Sequence, residues 1–293
     1  MATNVTPPER LGQTCLADGR RLGWAEWGPP SGTPVLLCSG SATSRWLGLP
    51  VDAITRLGVR LITVDRPGLG ASSAADGWTL HDWALDIGEF ARMRAVAGMV
   101  AIGFSVGAPF ALACGAARVV TGISLVSATD ELAHPALAPA LEPEAAMLVK
   151  QAAAGASGAE LLLSNAADAD TLREAVAGPS HGTDQRVYAD PAFDRNYRRA
   201  LTDGFAQGGA GYARETVLAL SRRPFDPSSI PVPVDLWYAD QDTNPLHSPD
   251  LGKSLARRMP TARRFLVPNA GSALLWTHTE TVLHSLLSRI APQ

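Results

Sequence analysis

Residues 99–116 read MVAIGFSVGAPFALACGA, an apolar run that ends in Gly-Phe-Ser-Val-Gly and passes without a break into a small-residue helix pattern. The spacing G-x-S-x-G between a strand and a helix puts Ser105 at the tip of a tight turn with positive φ. Side chains two residues to either side would collide there, which is why Gly103 and Gly107 flank it. Outward from this turn, PVLLCSG (34–40), RLITVD (60–65), GISLVS (122–127), VPVDLWYAD (232–240) and ARRFLVP (262–268) read as further short strands. Their nearly continuous apolar character fits strands covered on both faces. Helical patterns such as TLHDWALDIGEFARMRAV (79–96) separate them, so the expected architecture is α/β with a doubly wound, mostly parallel sheet. TCLADG (14–19) and RLGWAEWG (21–28) read as a hairpin around Asp18-Gly19.

Between residues 130 and 225 the composition shifts to Ala, Gly, Asp and Arg, with helix-like segments at 143–154, 168–177 and 194–206 and no good strand. This stretch reads as a helical cap inserted into a core made of residues 1–129 and 226–293. A last helix is expected over 273–290, ALLWTHTETVLHSLLSRI.

The 293 residues are 46% hydrophobic and 18% charged, with a net charge of -3 and no block of like charges, so no electrostatic footprint for nucleic acid or an anionic membrane exists. A small, mostly neutral substrate is the expected partner. The three cysteines, Cys15, Cys38 and Cys114, are too scattered for a metal cluster and odd in number, which argues against a disulfide framework. The first residues lack an apolar secretory core, and no apolar run reaches membrane-spanning length, so a soluble cytoplasmic protein is expected.

Three motifs in this order, DRPGLGAS (65–72), GFSVG (103–107) and YADQDTNP (238–245), resemble the α/β-hydrolase superfamily, a likeness that covers nearly the whole chain. The resemblance implies an eight-stranded, mostly parallel sheet with a cap after the sixth strand, as in lidded esterases, peptidases, dehalogenases and epoxide hydrolases. With Ser105 at the elbow and no aspartate, the alkyl-enzyme chemistry of the last two is not expected. The resemblance assigns the nucleophile to Ser105 and the acid to Asp242, with Asp240 the competing carboxylate. It assigns the oxyanion hole to the backbone N–H groups of Val106 and Ser41. In the loop after the third strand, Ser39 replaces the usual histidine while Gly40 remains. Arg45, Trp46, Phe104 and Trp276 are candidates to face substrate, although core packing or a structural ion pair fits them equally. No cofactor and no metal are expected.

The departure lies in LVPNAGSALLWTH (266–278), where relatives carry Gly-His after the eighth strand. Ser272, or Gly271 in the alternative register, holds that slot, so both registers lack the base that activates the serine. His278 lies about two helical turns too far along. His247, close behind Asp242, is nearer the right end of the sheet. His81, His134, His181 and His284 carry no pattern, although His134 and His181 fall in the cap.

A missing base points first to a non-hydrolytic tailoring enzyme acting on a polyketide-like natural product by cyclisation, carbon–carbon bond formation, addition or elimination. One alternative is a serine ester or thioester hydrolase completed by His247 or another unusual base, or one whose histidine has been replaced by design. The other is a ligand-binding pseudoenzyme. On the first reading, Ser39, Gly40, His247 and Ser272 contact substrate.

Overall fold

The computed structural model describes residues 3–154, 156–180 and 182–290. Eight strands, β1 (Arg10–Cys15), β2 (Arg21–Trp27), β3 (Thr33–Cys38), β4 (Val59–Val64), β5 (Val100–Phe104), β6 (Ile123–Val126), β7 (Val234–Ala239) and β8 (Ala262–Val267), form one sheet. Their order is β1-β2-β4-β3-β5-β6-β7-β8. β1 and β2 pair antiparallel, as does β2 with β4. Every other pairing is parallel. The central strands are the most apolar: every residue of β5, β6 and β7 is buried, as the near-continuous Val, Ile and Leu runs require when helices cover both faces. At the β8 edge the pattern relaxes, with Arg263 exposed and Arg264 half-buried.

One face is covered by α2 (Leu80–Met93) and α3 (Ala108–Ala116), packed into a core with Trp83, Phe90 and Phe110. A capping box starts α2: Thr79 Oγ1 accepts from the Asp82 amide while the Asp82 carboxylate accepts from the Thr79 amide. The other face is closed by α1 (Val51–Arg56) and by helices at the C-terminal end, around Trp27, Phe104 and Trp276. The single helix expected over 273–290 is in fact two, because His278 leaves helical geometry at φ -128° and ψ 24°. Thr279 Oγ1 bonds back to the Leu275 carbonyl at 2.5 Å, the type of side-chain back-bond that bends a helix. The chain therefore continues as α11 (Leu274–Thr277) and α12 (Thr279–Ser288), with α10 (Lys253–Arg258) before β8.

Between β6 and β7 the chain leaves the sheet and forms α4 (Pro143–Ala154), α5 (Ala156–Ala166), α6 (Ala169–Ala177), α7 (Gly182–Tyr188), α8 (Pro191–Gly204) and α9 (Ala210–Leu220). Asp168 and Asp190 cap α6 and α8 through their carboxylates. These helices roof the C-terminal ends of β3, β5 and β7, the edge where an open parallel sheet presents its loops for binding. No helix among the described residues is long and apolar enough to cross a membrane.

Candidate active site

Ser105 sits at the end of β5 with φ 52°, a left-handed conformation for a residue that carries a side chain. The turn is feasible only because its neighbours are bare. A Cβ on Gly107 would lie 1.9 Å from the Cys38 carbonyl oxygen, and one on Gly103 would lie 2.8 Å from the Ala108 Cα. The Ser105 carbonyl accepts from the Thr129 amide at 3.1 Å, which pins the turn to the segment after β6, and its hydroxyl faces a cavity beneath the cap.

The loop after β7 winds tightly through two successive Asx turns. Asp242 Oδ1 accepts from the Asn244 amide at 3.0 Å, and Asn244 Oδ1 accepts from the Leu246 amide at 2.9 Å. The Ser248 amide then donates to the Ala128 carbonyl at 3.0 Å, fastening the loop beside the elbow. This coil turns His247 back onto Asp242. His247 Nδ1 lies 2.7 Å from Asp242 Oδ2, and His247 Nε2 lies 2.9 Å from Ser105 Oγ. The His247 and Asp242 side chains are almost wholly buried, at 4% and 1% exposure, so the relay is shielded from water. Asp242, His247 and Ser105 are thus linked by hydrogen bonds, with Asp242 and His247 drawn from one loop.

A family model described as Alpha/beta hydrolase family matches residues 35–284. The chain belongs to the alpha/beta hydrolase family. No curated protein matches the sequence. Among solved structures, this alpha/beta hydrolase is similar to a bromoperoxidase from Bacillus anthracis, with 17% identity, TM-score 0.70 and coverage of 95% of this chain and 100% of that one. It is also similar to a hydrolase from Pseudomonas aeruginosa PA01, with 20% identity, TM-score 0.68 and coverage of 95% and 98%. An enol-lactonase from Burkholderia xenovorans LB400 has 18% identity, TM-score 0.65 and coverage of 94% and 100%. At these identities the likeness is one of fold.

The expectation that this family member lacks its base needs correction. The slot after β8 does hold no histidine, since Gly271 and Ser272 occupy it, but His247 brings an imidazole to Ser105 from the loop after β7. What fills the vacated slot comes from the cap. The Asp184 carboxylate on α7 accepts from the Ser272 amide and hydroxyl, both at 2.7 Å, and from the Ala273 amide at 3.0 Å. A Cβ on Gly271 would lie 2.4 Å from Asp184 Oδ2, so this loop is moulded around the carboxylate. Asp240, the competing acid, is exposed, and the His278 ring bonds to Thr277 Oγ1, at 2.9 Å, and not to Ser105. His134 accepts from the Ala136 amide at 3.1 Å, away from the cavity, while His181 lies outside the described residues.

Ser41 and Val106 both line the cavity beside Ser105 and His247. A Cβ on Gly40 would lie 3.9 Å from the Ser105 Cβ, so the loop after β3 passes directly over the nucleophile. The cavity measures about 280 Å³ and has an aromatic wall. Phe104 and Phe193 stand edge-on to Trp276 at 4.7 and 5.0 Å between ring centres, and Tyr188 adjoins Phe193 at 5.6 Å. The Trp276 indole N–H donates to the Gly48 carbonyl at 3.1 Å, which fixes that ring. Burial lifts the Tyr188 phenol well above its ordinary pKa, with Tyr197, Asp184 and Asp242 adding to the effect, so it remains neutral. Among the described residues, Asp184 is the only lining residue with a carboxylate, and no Lys or Arg lines the cavity.

Of the residues expected to face substrate, Gly40, Phe104, His247, Ser272 and Trp276 line the cavity, whereas Ser39, Arg45 and Trp46 do not. Ser39 turns its carbonyl to Arg66, at 2.9 Å. Arg45 is a structural cation: its guanidinium bonds to Asp65 and, at 2.9 Å, to Asp203, and its own amide donates to Asp65 at 2.6 Å. The Trp46 ring is covered by the Arg199 guanidinium, 4.6 Å from the ring centre. All three residues engage neighbouring segments outside the cavity. Asp184 was invisible in the sequence because nothing local distinguishes it from a surface helix aspartate. Among the described residues, no group of His, Cys, Asp and Glu side chains is placed to hold a metal.

Proposed function

We propose that this protein is a serine hydrolase of small, uncharged carboxylic esters, lactones or thioesters, working through an acyl-enzyme. The observation that carries the reading is the contact of His247 Nε2 with Ser105 Oγ at 2.9 Å, backed by Asp242 on Nδ1 at 2.7 Å. His247 takes the hydroxyl proton as Ser105 attacks the carbonyl carbon, and the tetrahedral oxyanion is met by the Val106 and Ser41 amides. The imidazolium then protonates the departing alkoxide or thiolate. Water, deprotonated by His247, releases the acid and restores Ser105. Asp242 fixes the tautomer and stabilises the imidazolium without taking the proton.

The cavity supports the substrate class. Its volume of about 280 Å³ sits at the lower end of ligand pockets, usually roughly 300–1,000 Å³, and favours a compact acyl or alcohol group against the aromatic wall. Without a cation among the described lining residues, a carboxylate substituent on the substrate has no partner. The reading as a non-hydrolytic tailoring enzyme of natural products rested on a missing base, and His247 removes that ground. The test is turnover of short-chain p-nitrophenyl esters together with labelling by a fluorophosphonate. Both are expected in the wild type and lost in Ser105→Ala; a folded wild type inert to both overturns the proposal.

A further inference from the structure

Beneath the loop after β3 lies an ion pair that the triad does not use. The Arg66 guanidinium is 2% exposed and all of its nitrogens are engaged: Nε bonds to Glu215, Nη1 donates to the Ser39 carbonyl at 2.9 Å, and Nη2 donates to the Gly40 carbonyl at 2.7 Å. Glu215, wholly buried, uses its other oxygen to accept from the Ala42 amide at 2.5 Å. The Phe110 ring lies under the guanidinium, 5.0 Å away. The pair therefore grips three of the four residues from Ser39 to Ala42 by their backbone, and the fourth is Ser41.

The geometry of a trans peptide links that grip to the oxyanion hole. The Gly40 carbonyl and the Ser41 N–H belong to one plane and point in opposite directions. Turning the carbonyl down to Arg66 turns the N–H up, to the side where Ser41 lines the cavity beside Ser105. Ala42, next in line, is held at φ 47° although it carries a Cβ and is fully buried. A conformation this unfavourable persists only where the surroundings over-determine it, and such positions concentrate at functional sites. Buried ion pairs are by themselves poor stabilisers, so stability alone is a weak reason to keep one here.

We propose that Arg66 and Glu215 are positioning residues for the oxyanion hole, aiming the Ser41 amide at the oxyanion through the backbone of Ser39, Gly40 and Ala42. The inference rests on the serine hydrolase reading. It also ties the cap to the chemistry. Glu215 belongs to α9, the helix that closes the cap insertion, and α9 is seated against the Arg66 loop where Gly211 meets Gly68: a Cβ on Gly211 would lie 2.6 Å from the Gly68 carbonyl oxygen.

The test is the double variant Arg66→Met/Glu215→Gln, in which neither charge is left unpaired and the new carboxamide oxygen can still accept from the Ala42 amide. Its kcat on p-nitrophenyl acetate is expected to fall roughly tenfold to a hundredfold, less than the hundred- to thousandfold that follows outright loss of an oxyanion donor. KM is expected to stay within about threefold, because the ground-state carbonyl makes little use of the hole. Affinity for a trifluoromethyl ketone, whose adduct with Ser105 places an oxyanion in the hole, should fall in step with kcat/KM. A folded double variant that keeps wild-type kcat and ketone affinity overturns the proposal. Should it not fold, Arg66→Lys keeps the charge facing Glu215 but loses the fork to the two carbonyls, and the same kcat and ketone readings decide. A wild type with no turnover and no serine labelling fails earlier, at the hydrolase reading itself; a wild type that turns over while the variants keep full kcat fails only here.

Discussion

His247 reaches Ser105 across 142 residues of sequence, Nε2 to Oγ 2.9 Å, from the loop that also carries its partner Asp242. Placing acid and base on one loop makes Asp242 both an electrostatic partner and part of the coil that aims the imidazole, since its second oxygen closes the Asx turn to Asn244. Asp242→Asn is expected to lower kcat on an activated ester by about ten-thousandfold, as loss of the tautomer-fixing carboxylate does in other triads. A loss smaller than about tenfold in a folded variant would mean that the imidazole is oriented by something else.

Asp184, on α7 of the cap, fills the loop after β8 with its carboxylate. Asp184→Ala strips three hydrogen bonds from Ser272 and Ala273 and leaves the buried Ala273 amide without an acceptor. The expected cost is about 3 kcal/mol, by analogy with buried charge-assisted bonds. Hydrogen exchange should speed up at Ser272, Ala273 and α7. Denaturant unfolding with exchange mass spectrometry checks both; unchanged protection at these amides contradicts the cap-to-core latch.

Much of this layout is legible in the sequence. The runs at 34–40, 60–65 and 99–104 each became a central strand, because a covered parallel strand has to be apolar throughout. The Gly103 and Gly107 frame marked the elbow for a steric reason that the Cys38 carbonyl makes concrete. The base was obscured because its position depends on two side-chain-to-backbone turns, at Asp242 and Asn244, which fold the loop back on itself; counting residues along an extended chain does not show this. Arg66 lies inside the motif DRPGLGAS, but its partners Glu215, Ser39 and Gly40 come from distant segments that only tertiary structure brings together. For Arg45 and Trp46 the sequence left a substrate mouth and a structural role equally open, and Asp65, Asp203 and Arg199 hold them outside the cavity.

Glu26 on β2 gives the protein a pH signature. Its side chain is 2% exposed and is reached by Arg60, Arg94 and Arg10 at 2.6, 2.9 and 3.1 Å. Burial alone pushes the carboxyl up, but the three guanidinium groups together hold it below the ordinary value. Since the folded state lowers this pKa, the stabilisation is present above the unfolded value of about 4.3 and is lost as pH falls through the folded value. Glu26→Gln should cost about 2 kcal/mol at pH 7, with the gap to wild type closing in acid. Urea unfolding at pH 7 and pH 3 measures this, and a gap that does not change with pH contradicts it.

Cys38 lies directly under the elbow, yet burial pushes its thiol up to about 12, with Arg66 only partly opposing. Cys114 is raised well above its ordinary value by burial and by Cys38, whereas Cys15 is exposed. Iodoacetamide at pH 8 should add once to the native protein, at Cys15, and three times after unfolding in guanidinium. Native modification of Cys38 would contradict the packing described around the elbow.

Whether the loop after β7 supplies the base for Ser105 is decided by the rate at which a fluorophosphonate labels Ser105, followed by intact mass in the wild type and in His247→Ala. A single rapid adduct is expected on the wild type, absent in Ser105→Ala, with a rate at least about a thousandfold lower in His247→Ala, since a serine without its base is a poor nucleophile. Equal labelling rates in the wild type and His247→Ala would contradict a base supplied from this loop.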